Sequence, residues 1–157
     1  MRINRETLLK IAEQTVAQRV RNDRDIMAAY LSGTLLEENY LLGGTADVDL
    51  TFLHMDKPTI EREVQRLTDE VHLDMTHYDQ RDFSQARKLR LHPWLGPTIY
   101  AAKILHDPQH FLDFTQASVR GQFYRPDYIL ERAHQQLRHA RDIWSGFIRR
   151  PKNPWIR

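Results

Sequence analysis

At 157 residues the chain has room for one domain, or one domain with a small helical appendage, around a real core. No apolar run approaches the roughly 18 residues of a membrane span, and MRINRETLLK lacks the apolar stretch of a signal peptide, so a cytoplasmic protein is expected. Zero cysteines exclude disulfides and thiolate zinc sites, and a formal net charge of +2 argues against a nucleic-acid coat.

The charge is unevenly spread. Residues 131–157 carry seven Lys/Arg against two acids, and the remainder carries 16 against 19. A basic tail on a mildly acidic body suits an anionic ligand or an acidic partner surface, with a solvated helix face as the plainer explanation.

In chain order, Asn4 is an N-cap for an amphipathic helix over 5–21, with Leu9, Ala12, Val16 and Val20 at helical spacing. Residues 26–31, IMAAYL, read as a buried strand running into a small-residue turn at Ser32-Gly33-Thr34. Thr34 to Leu42 predicts a short helix, capped by Thr34 with Glu37 three residues on and stopped by Gly43-Gly44. Residues 47–53 form a strand in which Asp47 and Asp49 share one face and Val48, Leu50 and Phe52 the other. Ile60, Val64, Leu67 and Val71 predict a helix over 59–70, giving a strand–helix–strand order. Residues 71–78 alternate, so His72, Asp74, Thr76 and Tyr78 share a polar face. A basic helix over 82–90, prolines 93 and 97 breaking the chain around Trp94, and a strand over 99–105 closed by His106-Asp107-Pro108 follow. From Pro126, the residues Ile129, Ala133, Leu137, Ala140, Trp144 and Phe147 form one long helical stripe, which must be covered by the body, a second copy or a partner.

A site for phosphoryl transfer needs a close-approach turn for phosphates, carboxylates for divalent metal, and a base or third ligand near the attacking hydroxyl. Gly33 and Thr34 offer the turn, and Asp47 and Asp49, about 7 Å apart along a strand, offer two carboxylates. Asp74 stands on the polar face of the next strand. Asp-x-Asp alone is ordinarily a solvated strand edge; the combination with the upstream turn and Asp74 carries the inference. Scattered histidines give no zinc site, because Asp107-Pro108 breaks the spacing of His106 and His110.

Gly33-Thr34, the following gap, Asp47-Val48-Asp49-Leu50, the distal Asp74 and the Ile104–Pro108 stretch together resemble the nucleotidyltransferase superfamily of DNA polymerase beta and the minimal and aminoglycoside nucleotidyltransferases. The resemblance spans roughly residues 25–110. It implies an α+β fold, a small mixed sheet with helices packed on one face, as a catalytic domain over 1–120, followed by a C-terminal helical segment with a basic tail over 121–157.

It further implies that Asp47, Asp49 and Asp74 bind Mg²⁺ or Mn²⁺, with Asp74 as third ligand or general base, and that Gly33 and Thr34 hold the phosphates of a nucleoside triphosphate, ATP by expectation. The product would be a nucleotidylated hydroxyl on a small molecule or protein. The alternative is a regulatory module of the antitoxin type that pairs through its C-terminal helix with a helical partner, or with a second copy. Three departures accompany the likeness: Thr34 where serine is usual, Ser32 where an apolar residue is usual, and Glu37 and Glu38 where relatives place an arginine. Positive charge for phosphate must come from elsewhere, with Lys88, Arg90 and Lys103 as the candidates.

Overall fold

The computed structural model describes residues 4–37 and 46–148. Helix α1 (Arg5–Asn22) begins where the Asn4 side chain accepts from the Thr7 backbone N–H at 2.8 Å, and Glu6 near its start and Arg19 and Arg21 near its end suit the helix dipole. Its buried stripe is Leu8, Ala12 and Val16, with Leu9 and Val20 packed at the margin.

Five strands follow: β1 (Ile26–Ser32), β2 (Ala46–His54), β3 (Arg62–Arg66), β4 (Val71–Asp79) and β5 (Lys103–His106), in the spatial order β3-β4-β2-β1-β5. Only β2 and β4 are parallel. Strand β1 is buried at every position, as its unbroken apolar run requires of a central strand. The α+β class and the mixed sheet are those expected, but the helices, expected on one face, divide between the two, because alternate residues of β1 and β2 are apolar on both sides of the sheet. Helix α1 packs on Leu31, Val48, Leu50, Phe52, Leu73 and Met75. The alternate residues Tyr30 and Leu53 pack instead with Phe83, Leu89, Ile99, Leu112 and Val119. Those come from α2 (Gln80–Phe83), α3 (Ala86–Leu91), α4 (Leu95–Ala101) and α5 (Phe111–Arg120).

Four expected elements differ. Residues 59–70 form no helix: β3 pairs antiparallel with β4, and Ile60 and Val64 are 56% and 58% exposed. The edge of β4 has backbone groups to satisfy, and a hairpin closed by the Leu67 and Thr68 N–H groups on the Val71 carbonyl does this locally. The order is therefore strand–strand–strand. Residues 99–105 form the end of α4 and then the short β5, because Pro97 lies in the first turn of α4, where no N–H donor is needed, and Ile99 is driven into the core. The 82–90 helix is split into α2 and α3 around Ser84-Gln85. Beyond Gly33 the chain makes a single 3-10 turn, Thr34–Leu36, preceded by Gly33 with no side-chain cap; Leu42 and the Gly43-Gly44 stop lie outside the described residues.

Helix α6 (Pro126–Ile148) packs on the body by its polar flank. Arg132 is buried, lies 4.0 Å above the Phe123 ring, and donates to the Arg90 carbonyl at 2.6 Å and the Phe123 carbonyl at 3.0 Å. His139 meets the edge of Trp94. The apolar stripe faces away from the body: Ile129, Leu137, Ile143 and Trp144 are 44–65% exposed, and Ala133 and Ala140 are exposed with them. The side chain of Phe147 lies outside the described residues.

Opposite the polar sheet face, the far ends of β2 and β4 hold a buried imidazole pair. His54 Nε2 and His77 Nδ1 share a hydrogen bond of 2.9 Å, and His77 Nε2 lies 3.1 Å from Glu63, which in turn accepts from Arg19 at 2.8 Å. His77 also stacks on Phe52. One hydrogen-bonded chain thus ties α1, β3, β4 and β2 together. Burial, aided by the neighbouring His54, holds the His77 pKa below the usual histidine value despite the opposing bond to Glu63. The unfolded chain therefore takes up a proton that the folded one refuses, and stability falls as pH drops below the unfolded value near 6.5. In thermal melts, the melting temperature should fall between about pH 7 and about pH 5.5, and His77→Gln should flatten that slope. An unchanged slope would remove His77 from the account.

Candidate functional site

The parallel register of β2 and β4 sets Asp49 directly beside Asp74 and Asp47 beside His72. Alternation turns all four toward the sheet face that α1 does not cover. On its other side Asp49 is paired with Ser32 of β1, at the point where β1 ends and the chain turns. Asp49 is therefore the middle of a three-strand row, half-buried, with a second carboxylate one strand away.

Gly33 completes the row. Its backbone (φ 80°, ψ −169°) lies in a region that essentially only glycine occupies. A Cβ there would stand 1.9 Å from Asp49 Oδ2 and 2.9 Å from its Cγ. The missing side chain makes room for the carboxylate itself: the turn and the Asp49 side chain occupy one close-packed unit.

Burial first, and then the charges of Asp74 and Asp47, push the Asp49 pKa upward; Arg62 opposes them. Arg62 is the residue that periodicity concealed. Expected on a helix, it lies on edge strand β3, paired with Thr76, and its guanidinium grips both oxygens of Asp74, with Nε at 2.8 Å from Oδ1 and Nη2 against Oδ2. Only knowledge that 62–66 is a strand beside β4 would have brought Arg62 to Asp74.

A cavity of about 490 Å³ opens over this row. Asp49, Asp74, Gly33, Ser32 and Arg62 line it, with Tyr30, Thr51 and Thr98 deeper in. Burial pushes the Tyr30 hydroxyl up to about 12, so it stays a neutral phenol there. The structure thus brings together Gly33, Asp49 and Asp74. Asp47 shares their face but stands outside the cavity wall, its side chain 62% exposed and 3.4 Å from His72. Thr34 also lies outside the lining. Two of the three phosphate-contact candidates are engaged away from it: Lys103 pairs with Glu13 at 3.0 Å, and Arg90 donates to the Ser118 carbonyl at 2.9 Å. Lys88, on α3, is not part of the lining either. Among the described residues, no three His, Asp or Glu side chains already converge on a common metal position.

Gly33→Ala tests the packing of turn on carboxylate. The variant should lose about 1–3 kcal/mol of stability, measured by denaturant unfolding. Gly33→Ala with wild-type stability would show that the turn can shift away from Asp49.

No family model matches the sequence, and no curated protein matches it. One solved structure with a similar fold is a nucleotidyltransferase-like protein from Exiguobacterium sibiricum 255-15, at TM-score 0.51 and 14% identity. The match covers 71% of this chain and 38% of that one, so this chain spans well under half of that protein's length. Among the described residues, no helix is long and apolar enough to cross a membrane. The five-stranded mixed sheet with its packed helices has a nucleotidyltransferase-like fold.

Proposed function

We propose that this protein transfers a nucleoside monophosphate, AMP from ATP, to a hydroxyl of a small molecule or protein, releasing pyrophosphate. The observation that carries this is the register pairing of Asp49 with Asp74 beside the glycine turn, under an open cavity. A divalent metal fits the donor set: the groups are hard carboxylate oxygens, and burial together with the charges of Asp74 and Asp47 raises the Asp49 pKa, a cost that a cation would relieve.

Asp47 and Asp49 would hold Mg²⁺ or Mn²⁺, and Asp74 would serve as a third ligand or as the base. When bound, the metal would neutralise charge on the phosphate oxygens. The acceptor hydroxyl gives its proton to Asp74, its oxygen bonds to the α-phosphorus, and the bond to the bridging oxygen of the β-phosphate breaks, pyrophosphate leaving with the electron pair. Ser32 and Gly33, which line the cavity, would offer donors to the phosphates, with Thr34 next to them in the turn.

A second function is favoured by one observation, the exposed apolar stripe of α6: a nucleotidyltransferase-like module that pairs through this helix with a helical partner or a second copy. Turnover by the isolated chain separates the two.

In calorimetric titrations, ATP binding should depend on Mg²⁺, and the double change Asp47→Asn with Asp49→Asn should abolish it. Binding that survives the double change would sink the site. Asp74→Ala should lower pyrophosphate release on the order of 10²–10⁴-fold without weakening nucleotide affinity; full activity would leave Asp74 without a part in proton transfer.

A further inference from the structure

The cavity has one cation among its described lining residues, and that cation is already spent on a carboxylate. Arg62 lines the cavity and holds Asp74 through two hydrogen bonds. The Asp74 side chain is 20% exposed and the Arg62 side chain 65% exposed, so the carboxylate is the fixed partner and the guanidinium the movable one. Arg62 sits on the outermost strand of the sheet, and its backbone is held by pairing with Thr76 on one side only. It also lines an adjoining cavity of about 580 Å³ with Lys57 and Arg81, so its long side chain has open space on either side. Residues 34–56, which run from the turn through β2, contain no Lys or Arg. The chain next to the glycine turn therefore offers a triphosphate no positive charge of its own.

We propose that Arg62 is a two-position residue: without nucleotide it masks Asp74, and with nucleotide it leaves Asp74 and binds the triphosphate oxygens through the same guanidinium fork. This rests on the nucleotidyl-transfer function above. The planar fork matches carboxylate and phosphate geometry equally, so one group can exchange between them without a change of protonation. While Arg62 holds Asp74, the third carboxylate cannot turn to a metal shared with Asp49. Departure of Arg62 frees that carboxylate as the phosphate charge arrives, and metal site and nucleotide site are completed by one movement. Arg62 then contributes oppositely to two ligands: it opposes metal alone and supports nucleotide.

The test uses the full chain and two probes, Mn²⁺ alone and ATP at saturating Mg²⁺, each titrated against wild type, Arg62→Gln and Asp74→Asn. Arg62→Gln should bind Mn²⁺ several-fold more tightly and ATP roughly tenfold more weakly than wild type. Asp74→Asn should bind ATP more tightly than wild type, because Arg62 is released, and should not gain Mn²⁺ affinity. Arg62→Lys should recover only part of the lost ATP affinity. Thermal melts check that both principal variants fold. Changes of the same sign for both ligands in Arg62→Gln, or no change in either, would overturn the exchange while leaving nucleotidyl transfer standing. Wild-type protein that binds no ATP with or without metal would overturn nucleotidyl transfer and the phosphate position of Arg62 together.

Discussion

The parallel ladder between β2 and β4 governs everything on the polar face. It fixes Asp49 beside Asp74, and because side chains alternate with a period of two, a slip of one residue in either strand would carry that strand's aspartate into the core against α1. The same alternation drives Val48, Leu50, Phe52, Leu73 and Met75 under that helix. Burial of those residues thus specifies the carboxylate geometry, although of the five only Leu50 reaches the cavity. The glycine turn is locked to the same register, since Asp49 fills the space that a side chain on Gly33 would need.

Two adjacent residues hold the edge strand from opposite faces. Arg62 reaches over the polar face to Asp74, while Glu63 reaches under the sheet to His77 and Arg19. The lower contact is part-buried and joins a continuous chain through the buried His77–His54 bond; the upper one is open to solvent. Water screens an exposed pair strongly, so the Arg62 side of β3 is the side that can exchange partners at little cost. A rigid lower anchor with a labile upper one lets a side chain move without moving its strand.

Helix α6 inverts the usual arrangement of an amphipathic helix. A buried arginine over Phe123, satisfied by two carbonyls, fastens it to α3 and the turn after α5, and the apolar stripe is left outward. Charge-assisted bonds to carbonyls whose own partners are few make that polar seam stable. The apolar face is consequently a property of the chain's outer surface and separate from the cavity.

The sequence by itself determined the elements whose patterns are strong and local: α1 with its Asn4 cap, the buried run of β1, the alternation of β2 and β4, and the long helix from Pro126. It also determined which residues could be chemical, because two aspartates on one strand face and a third on an alternating strand need only period-two geometry to be placed. What it could not determine was the environment of those residues. The spacing of Ile60, Val64, Leu67 and Val71 suits a helix, yet the unsatisfied edge of β4 claims residues 62–66 as a strand, and that long-range pairing is what brings Arg62 to Asp74. Likewise Gly33 reads as a turn residue in sequence, while its need for a bare α-carbon comes from Asp49, sixteen positions away and adjacent only through the β1–β2 ladder. Local pattern sets which atoms are available; pairing between strands distant in sequence sets which of them meet.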